Sequence, residues 1–266
     1  MFAITLRDMG IEVRFAASDH VSDLEALVDD RTKAIFLENI GNPAFNIPDY
    51  EPIVEMARRK GVCVMVDNTF GMGGYLFRPF EWGCNVSVHS ATKWICGHGT
   101  ALGGVVVDGG NFDWTPEKYP LLAAPSESYH GLVYKEVFGD AAFAGRVRVD
   151  GLRNIGPAPS PFNSFLMLQG LETLSLRAER CCANTLAVAE FLEKHPAVES
   201  VNYPGLKSNQ YHDLACKYLK NGFGGVLTFR VKGGFEAAAA LVTRLELILH
   251  VGSVGDAKSL IVHPAS

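Results

Sequence analysis

The chain has 266 residues, with 24 Lys and Arg against 29 Asp and Glu, which gives a formal net charge of −5. A mildly acidic chain without basic blocks is not typical of nucleic-acid-binding proteins, so that class is excluded. Apolar residues make up 48% of the chain and charged residues 20%, which supplies a packed core and excludes a disordered protein.

The first ninety residues alternate patterns typical of strands and helices. Strands that alternate with helices at this interval predict an α/β fold with a mostly parallel sheet covered on both faces. Strands are predicted at 10–15, 34–38 and 62–66, and helices at 22–28, with Ser22 as N-cap, and at 50–60, ended by Gly61.

The rest of the chain changes character twice. Residues 108–161 are rich in aromatic residues, Pro and Gly and predict only short helical pieces, and such long irregular stretches are usually functional or cover another surface. The pattern then becomes helical, and we place a domain boundary in this stretch, with a large domain at 1–172 and a small domain at 173–266. The later elements are predicted as a helix over 164–195, strands at 198–203 and 225–231, and helices at 212–219 and 235–241.

Polar residues follow the ends of consecutive predicted strands. Asn42 lies in the turn after one strand, Asp67 ends the next, and Lys93 follows a third in the segment Ser90-Ala91-Thr92-Lys93. In an open parallel sheet, ligands bind beyond the carboxyl ends of the strands. We therefore expect these side chains to face one crevice.

A buried strand-end carboxylate together with a lysine flanked by hydroxyls suggests pyridoxal phosphate (PLP). This cofactor requires a lysine amine for a Schiff base and a carboxylate that keeps its ring nitrogen protonated. Lys93 and Asp67 would supply these groups, and Ser90 and Thr92 could bind the phosphate. Taken singly, a strand-end Asp is more often a helix cap, and a Lys after Thr is more often a surface residue.

Other motifs predict less. The glycines of 71–74 lack the G-x-G-x-x-G spacing of a dinucleotide loop. His89 and His98 have no carboxylate or cysteine at zinc spacing, so we predict packed or hydrogen-bonded histidines and no metal site. The six cysteines show no C-x-x-C spacing and are interpreted as reduced thiols, mostly in the core, which with the absence of a visible secretory signal leads us to expect a cytoplasmic protein.

Several ordered strings closely resemble the Cys/Met metabolism family of PLP-dependent enzymes, and the match covers essentially the whole chain. The family includes cystathionine γ-synthase, cystathionine lyases, methionine γ-lyase and O-acetylhomoserine sulfhydrylase. The strings FDW at 112–114, YHG at 129–131 and FG at 138–139 resemble the sulfhydrylase branch in particular. The strings shared with the family are GNP at 41–43, VDNTF at 66–70, SATK at 90–93, GHG at 97–99, SPFN at 160–163, QGLETL at 169–174, GDAKSL at 255–260 and HPA at 263–265.

The resemblance implies a fold and a role for each matching residue. The fold would be the aspartate aminotransferase-like (type I) large domain plus part of a smaller α/β C-terminal domain. Lys93 would bind PLP covalently and shuttle protons, Asp67 would pair with the ring nitrogen, and Asn42 would contact the phenolic oxygen. The remaining implied contacts are the phosphate for Ser90 and Thr92, the ring for Thr69, and the substrate or the lysine for Ser253, where sulfhydrylases often carry Asn.

The resemblance also implies an activity and an assembly. The implied reaction is γ-replacement on O-acetylhomoserine or a similar activated homoserine, with sulfide or a thiol as nucleophile, in a homo-oligomer, either a dimer or a tetramer. Alternatives are the same substitution with an amine or carbon nucleophile, a lyase, or a non-catalytic relative. Family members carry further segments before and after the matched region, so the chain is expected to be truncated at both ends.

Overall fold

A four-stranded sheet forms the centre of the protein, whose computed structural model describes residues 1–265. Its strands lie side by side in chain order. The first three run parallel and the fourth is antiparallel to the third, which confirms the predicted α/β fold with a mostly parallel sheet. These strands are β1 (Ala34–Glu38), β2 (Cys63–Asp67), β3 (Val86–Ser90) and β4 (Gly104–Asp108).

Helices and two small sheets make up most of the remainder. The strands β5 (Val198–Asn202) and β6 (Thr228–Val231) pair antiparallel, and β7 (Leu249–His250) pairs parallel with β8 (Leu260–Ile261). The α-helices are α1 (Val21–Glu25), α2 (Tyr50–Arg59), α3 (Pro120–Ala123), α4 (Tyr134–Phe138), α5 (Ala142–Arg146), α6 (Pro161–Glu172), α7 (Leu174–Glu193), α8 (His212–Tyr218) and α9 (Gly234–Arg244). Short 3₁₀ and π-helical turns are also present, among them Phe2–Leu6, Thr69–Gly74, Pro79–Trp82 and Val147–Ile155.

The register of the central sheet aligns the strand ends. Glu38 pairs with Asp67, and Asp67 pairs in turn with Val88. Because the three strands are parallel, their carboxyl ends meet at one edge, where side chains from separate parts of the sequence come together.

Helix α2 shows how the sequence pattern fixes an element against this sheet. Its buried side chains recur at helical spacing, so one face packs on the core and the other carries charge. The helix ends just before Gly61, which adopts a φ of +58°, a conformation that glycine takes without steric cost. This confirms Gly61 as the residue that stops the helix. The buried residues are Tyr50, Ile53, Met56 and Ala57.

Two local predictions were wrong. Gly10–Phe15 forms no strand: Ile11 and Phe15 leave 51% and 66% of their surface exposed, and alternation alone does not make a strand without a partner edge. Ser22 does not cap α1, because the helix begins one residue earlier and His20 occupies the N-cap position.

The predictions for the later chain were largely confirmed. Residues 108–161 contain only short helical pieces, and the long helical stretch is α6 followed by α7. The two helices are separated at Thr173, and the division into domains at 172/173 stays a prediction. Two apolar clusters nevertheless cross that position. Leu174, Ala178 and Cys182 pack with Trp94, and Tyr218 packs with Tyr50.

Two further observations concern membrane-spanning helices and the state of the cysteines. Within residues 1–265, no helix combines the length and the apolar character needed to cross a membrane. Every cysteine is a free thiol: Cys63, Cys84, Cys96 and Cys182 are buried, Cys181 is half-buried and Cys216 is exposed.

Candidate active site

Lys93 and Ser253 meet although 160 positions separate them in the chain. The Lys93 Nζ donates a hydrogen bond to the Ser253 Oγ over 3.1 Å, and both residues are half-buried. Lys93 itself lies in a tight turn that follows β3. Its amide donates to the Ser90 carbonyl at 3.2 Å, and its carbonyl accepts from the Gly97 amide at 2.8 Å. The amine is therefore presented by a folded turn rather than by a free surface chain.

A close backbone contact brings the Ser253 loop onto this turn. Gly255 has a φ of +76°, and a Cβ built on it would lie 2.6 Å from the Trp94 amide nitrogen and 2.8 Å from the Lys93 carbonyl carbon. Glycine is required here both for the conformation and for the space. This contact between Gly255 and the lysine turn fixes the position of Ser253 relative to the Lys93 amine.

Asp67 ends β2 and is tied to the neighbouring strand by Thr69. The Thr69 amide donates to the Asp67 Oδ1 at 2.9 Å, and the Thr69 Oγ1 accepts from the Ser90 amide at 2.8 Å. No residue within 1–265 donates a hydrogen bond to the other carboxylate oxygen of Asp67. The structure thus orients the carboxylate and leaves one oxygen available.

Ser90 and Thr92 differ in what their hydroxyls do. The Thr92 Oγ1 donates to the Gly103 carbonyl at 3.3 Å and accepts from the Gly103 amide at 3.1 Å. The Ser90 hydroxyl makes no hydrogen bond within residues 1–265. The Thr92 hydroxyl therefore ties the turn that carries Lys93 to Gly103, and the Ser90 hydroxyl has its full hydrogen-bonding capacity left for a ligand.

Asn42 is exposed, and its backbone amide donates to the Glu38 Oε2 at 3.1 Å. The pKa of Glu38 is raised by partial desolvation and by the charge of Asp67, against the opposing effect of the Asn42 amide. Sequence reasoning missed Glu38. Glu38 could have been found from its position as the last residue of β1. Because β1 pairs with β2, Glu38 pairs with Asp67 and brings a second carboxylate to the same end of the sheet.

His89 is a second residue whose place in the site was missed. Its Nε2 lies 3.1 Å from the Ser87 Oγ, as expected for a hydrogen-bonded histidine, but its buried Nδ1 has no partner among the described residues. Burial lowers the pKa of His89, and the charge of Asp67 opposes that shift. Burial therefore favours the neutral form of the imidazole. The part of the chain that the structure describes contains no group of three or more His, Cys, Asp or Glu arranged for a metal ion.

These groups fit a pyridoxal phosphate. Lys93 has a hydroxyl partner and, in the described chain, no carboxylate partner, so its amine is not committed to an ion pair. The available oxygen of Asp67 suits a protonated ring nitrogen, and the unpaired Ser90 hydroxyl suits a phosphate. An amine, a carboxylate and a hydroxyl are the donor set that this cofactor needs.

Comparisons with known proteins agree with this assignment. The model of the family described as "Cys/Met metabolism PLP-dependent enzyme" matches residues 1–266. The O-acetyl-L-homoserine sulfhydrylase 1 of Thermus thermophilus is 52% identical over 266 residues, and the homocysteine synthase of Schizosaccharomyces pombe is 51% identical over 267. Each alignment covers 100% of this chain but only 63% and 62% of the relative, so the chain spans about three fifths of their length.

A solved structure is similar over the same extent. It is a Campylobacter jejuni protein described as an O-acetylhomoserine (thiol)-lyase and carries a pyridoxyl-lysine monophosphate. It superposes with a TM-score of 0.94 at 38% identity, over 99% of this chain and 64% of its own. The likeness covers the central sheet, the turn with Lys93 and the C-terminal elements alike.

Proposed function

The chain belongs to the Cys/Met metabolism PLP-dependent enzyme family, and on that premise we propose that it catalyses γ-replacement on O-acetylhomoserine with sulfide or a thiol. The products would be homocysteine, or its thioether, and acetate. The observation that carries the proposal is the Lys93 amine held 3.1 Å from the Ser253 hydroxyl, at the sheet edge where Asp67 is oriented. Relatives named sulfhydrylases or homocysteine synthases support the substrate class.

Lys93 is the proposed catalytic base and acid. Because the amine donates to the Ser253 Oγ, its lone pair can be turned toward a substrate bound above the turn. Its task is to take protons from the substrate Cα and then Cβ, so that the Cγ–O bond breaks and acetate leaves. As sulfide or the thiol forms the Cγ–S bond, Lys93 returns protons to Cβ and Cα. Ser253 orients the amine and contacts the substrate.

Asp67 has an electrostatic role in the proposal. PLP, when bound, supplies the electron sink for this chemistry. The Asp67 carboxylate, held by the Thr69 amide, would keep the ring nitrogen protonated, and Thr69 would lie against the ring. Ser90 is the proposed hydrogen-bond donor to the phosphate, and Thr92 shapes the same turn. Asn42, in the turn after β1, is the proposed contact of the phenolic oxygen.

The test combines a binding measurement with a reaction. The purified chain is mixed with PLP and reduced with borohydride, and mass spectrometry locates the labelled lysine. Homocysteine formation from O-acetyl-L-homoserine and sulfide is then measured. We expect the label on Lys93, and we expect Lys93→Ala to lose both label and product, whereas Lys207→Ala, which removes an exposed lysine, keeps both.

Asp67→Asn provides the second arm of the same test. A neutral amide cannot hold the ring nitrogen protonated, so turnover should fall by about a hundredfold or more while some PLP stays bound. Asp213→Asn, at an exposed carboxylate, is the matched control. Near-normal turnover of Asp67→Asn, or a label on a lysine other than Lys93, would overturn the proposed site.

We further propose that the protein works in the cytoplasm as a homo-oligomer, either a dimer or a tetramer. Free thiols support a reducing compartment. Exposed apolar side chains on β4 and α6, including Val106, Phe162 and Leu168, support association. Light scattering of the purified chain tests the assembly, and a strict monomer at high concentration would contradict it.

A further inference from the structure

Arg177 of α7 bonds to two backbone carbonyls and one side-chain hydroxyl around the turn that carries Lys93. Its Nη1 donates to the Trp94 carbonyl at 3.0 Å, its Nη2 to the Gly170 carbonyl at 2.6 Å, and its Nε to the Thr173 Oγ1 at 3.2 Å. Trp94 directly follows Lys93, Gly170 lies in the last turn of α6, and Thr173 separates α6 from α7. One guanidinium thus connects the lysine turn to both helices.

The chemistry of these contacts is unusual for an arginine. Carbonyls at the ends of helical turns have no backbone donor, and a cation there is favourable. Arg177 satisfies two such carbonyls, and within residues 1–265 it forms no ion pair with a carboxylate. Because the guanidinium is partly withdrawn from water, desolvation lowers the pKa of Arg177.

The guanidinium also occupies space that a larger residue would need. A Cβ built on Gly97 would lie 2.3 Å from the Arg177 Cζ, so the end of the lysine turn rests directly on the guanidinium plane. The Ser253 loop covers the same turn through Gly255, whose Cβ would meet Lys93 and Trp94. The turn from Lys93 to Gly97 is therefore held from two directions, by a loop and by Arg177.

We propose that Arg177 is a positioning residue. By fixing the backbone of the turn from Lys93 to Gly97, it sets the Lys93 amine against the Ser253 hydroxyl. Arg177 does not touch the proposed reacting atoms. It acts through the Trp94 carbonyl and the Gly97 contact, so its loss should free the turn locally rather than unfold the chain. The reactive role of Lys93 rests on the proposed function, but the local effect on the turn does not.

The first experiment needs no cofactor. Amide hydrogen exchange is measured in the full chain for Arg177→Met and Arg177→Lys. The amides of Cys96 and Gly97, which donate to the Ala91 and Lys93 carbonyls, should exchange about tenfold faster or more in Arg177→Met, because charge-assisted hydrogen bonds are lost. Amides of β1 and β2 should keep their rates. Arg177→Lys keeps the charge with fewer donors and should lie between.

The second experiment measures where PLP is attached. After borohydride reduction, the fraction of bound PLP linked to Lys93 should fall in Arg177→Met, be partly restored in Arg177→Lys, and stay unchanged in Arg180→Met. Arg180 is the matched control, since it is an exposed cation of the same helix and has no hydrogen bond or ion pair in the described chain. A purely structural role would lower stability without changing the linked fraction.

The outcomes separate the two proposals. Unchanged exchange at Cys96 and Gly97, or an equal increase throughout the chain, would overturn the role of Arg177. If the unmodified chain shows no PLP on Lys93, the proposed function fails, and the exchange experiment alone still decides whether Arg177 fixes the turn. If Arg177→Met does not fold, Arg177→Lys carries the exchange comparison, with slower or equal exchange counting against the proposal.

Discussion

At the scale of single residues, Ser90 and Thr92 lie in one short motif and yet have different surroundings. The Ser90 hydroxyl is unpaired in the described chain, whereas the Thr92 hydroxyl is bonded to both backbone groups of Gly103. We expect Ser90→Ala to weaken PLP binding by about tenfold or more with little change in stability, because hydrogen bonds to charged groups contribute about 1.5–3 kcal/mol.

The companion variant Thr92→Ala should behave in the opposite way. Removing its hydroxyl leaves the Gly103 amide without a partner, which costs about 1 kcal/mol of stability, while the Gly103 carbonyl still accepts from the Thr92 backbone amide. PLP titrations followed by fluorescence, together with urea unfolding of both variants, measure the two effects. Equal PLP affinity in Ser90→Ala and the unmodified chain would refute the phosphate role.

His89 makes a prediction about pH. Burial lowers its pKa in the folded protein, so below the ordinary value the unfolded chain binds a proton that the folded chain resists. Well above about pH 6.5, His89 is neutral in both the folded and the unfolded chain and does not change the free energy of unfolding. As the pH drops through that value toward the folded pKa, the unfolded chain gains the proton first, so the free energy of unfolding falls. His89→Gln should therefore lose less stability than the unmodified chain between about pH 7.5 and about pH 5.5.

Urea unfolding at the two pH values measures this difference. His20→Gln is the control, since His20 is exposed at the N-cap of α1. The same loss of stability in His89→Gln and in the unmodified chain would show that the buried imidazole is not the group responsible.

At the scale of elements, α6 and the lysine turn touch backbone to backbone. A Cβ on Gly170 would lie 2.3 Å from the Ile95 carbonyl oxygen and 2.4 Å from the Cys96 carbonyl oxygen. Gly→Ala inside a helix ordinarily stabilises it by up to about 1 kcal/mol. We expect Gly170→Ala to destabilise the chain by about 1–3 kcal/mol instead, because neither carbonyl can move without shifting the turn.

Gly151→Ala is the matched control for this effect. Gly151 also lies in a helical segment, but its Cβ would meet only the Val147 Cγ1 at an ordinary 3.9 Å. Urea unfolding should rank Gly151→Ala equal to or above the unmodified chain and Gly170→Ala below it. A neutral Gly170→Ala would mean that α6 does not press on the lysine turn.

The same elements show what a sequence pattern can predict. The strand ends carrying Asp67 and the turn carrying Lys93 follow from local alternation and the parallel-sheet rule, because neighbouring strands are set by nearby sequence. The contact of Lys93 with Ser253 and the bonds of Arg177 to Trp94 do not, since they depend on how distant segments pack. Ser253 was identified through resemblance alone, and Arg177 was missed.

At the scale of the whole molecule, the predicted boundary between 1–172 and 173–266 divides the sequence but not the core. Tyr218 of α8 is 1% exposed, its ring lies 5.1 Å from that of Tyr50 and 4.7 Å from that of Trp82, and its hydroxyl donates to Asp49. On α7, Cys182 packs in the cluster of Trp94. Burial shared in this way couples the two parts energetically.

We therefore predict that both parts unfold together. In a urea series followed by pulsed hydrogen exchange, peptides of α2 and β2 should lose protection at the same urea concentration as peptides of α7 and α8. Tyr218→Ala removes an aromatic side chain from the shared core and should lower both midpoints equally, at a cost of about 3–5 kcal/mol. Phe191→Ala, at a ring that is 63% exposed on α7, should lower neither. Separate midpoints, or a Tyr218→Ala effect confined to 173–266, would instead show that the later residues form an independent folding unit docked on the first.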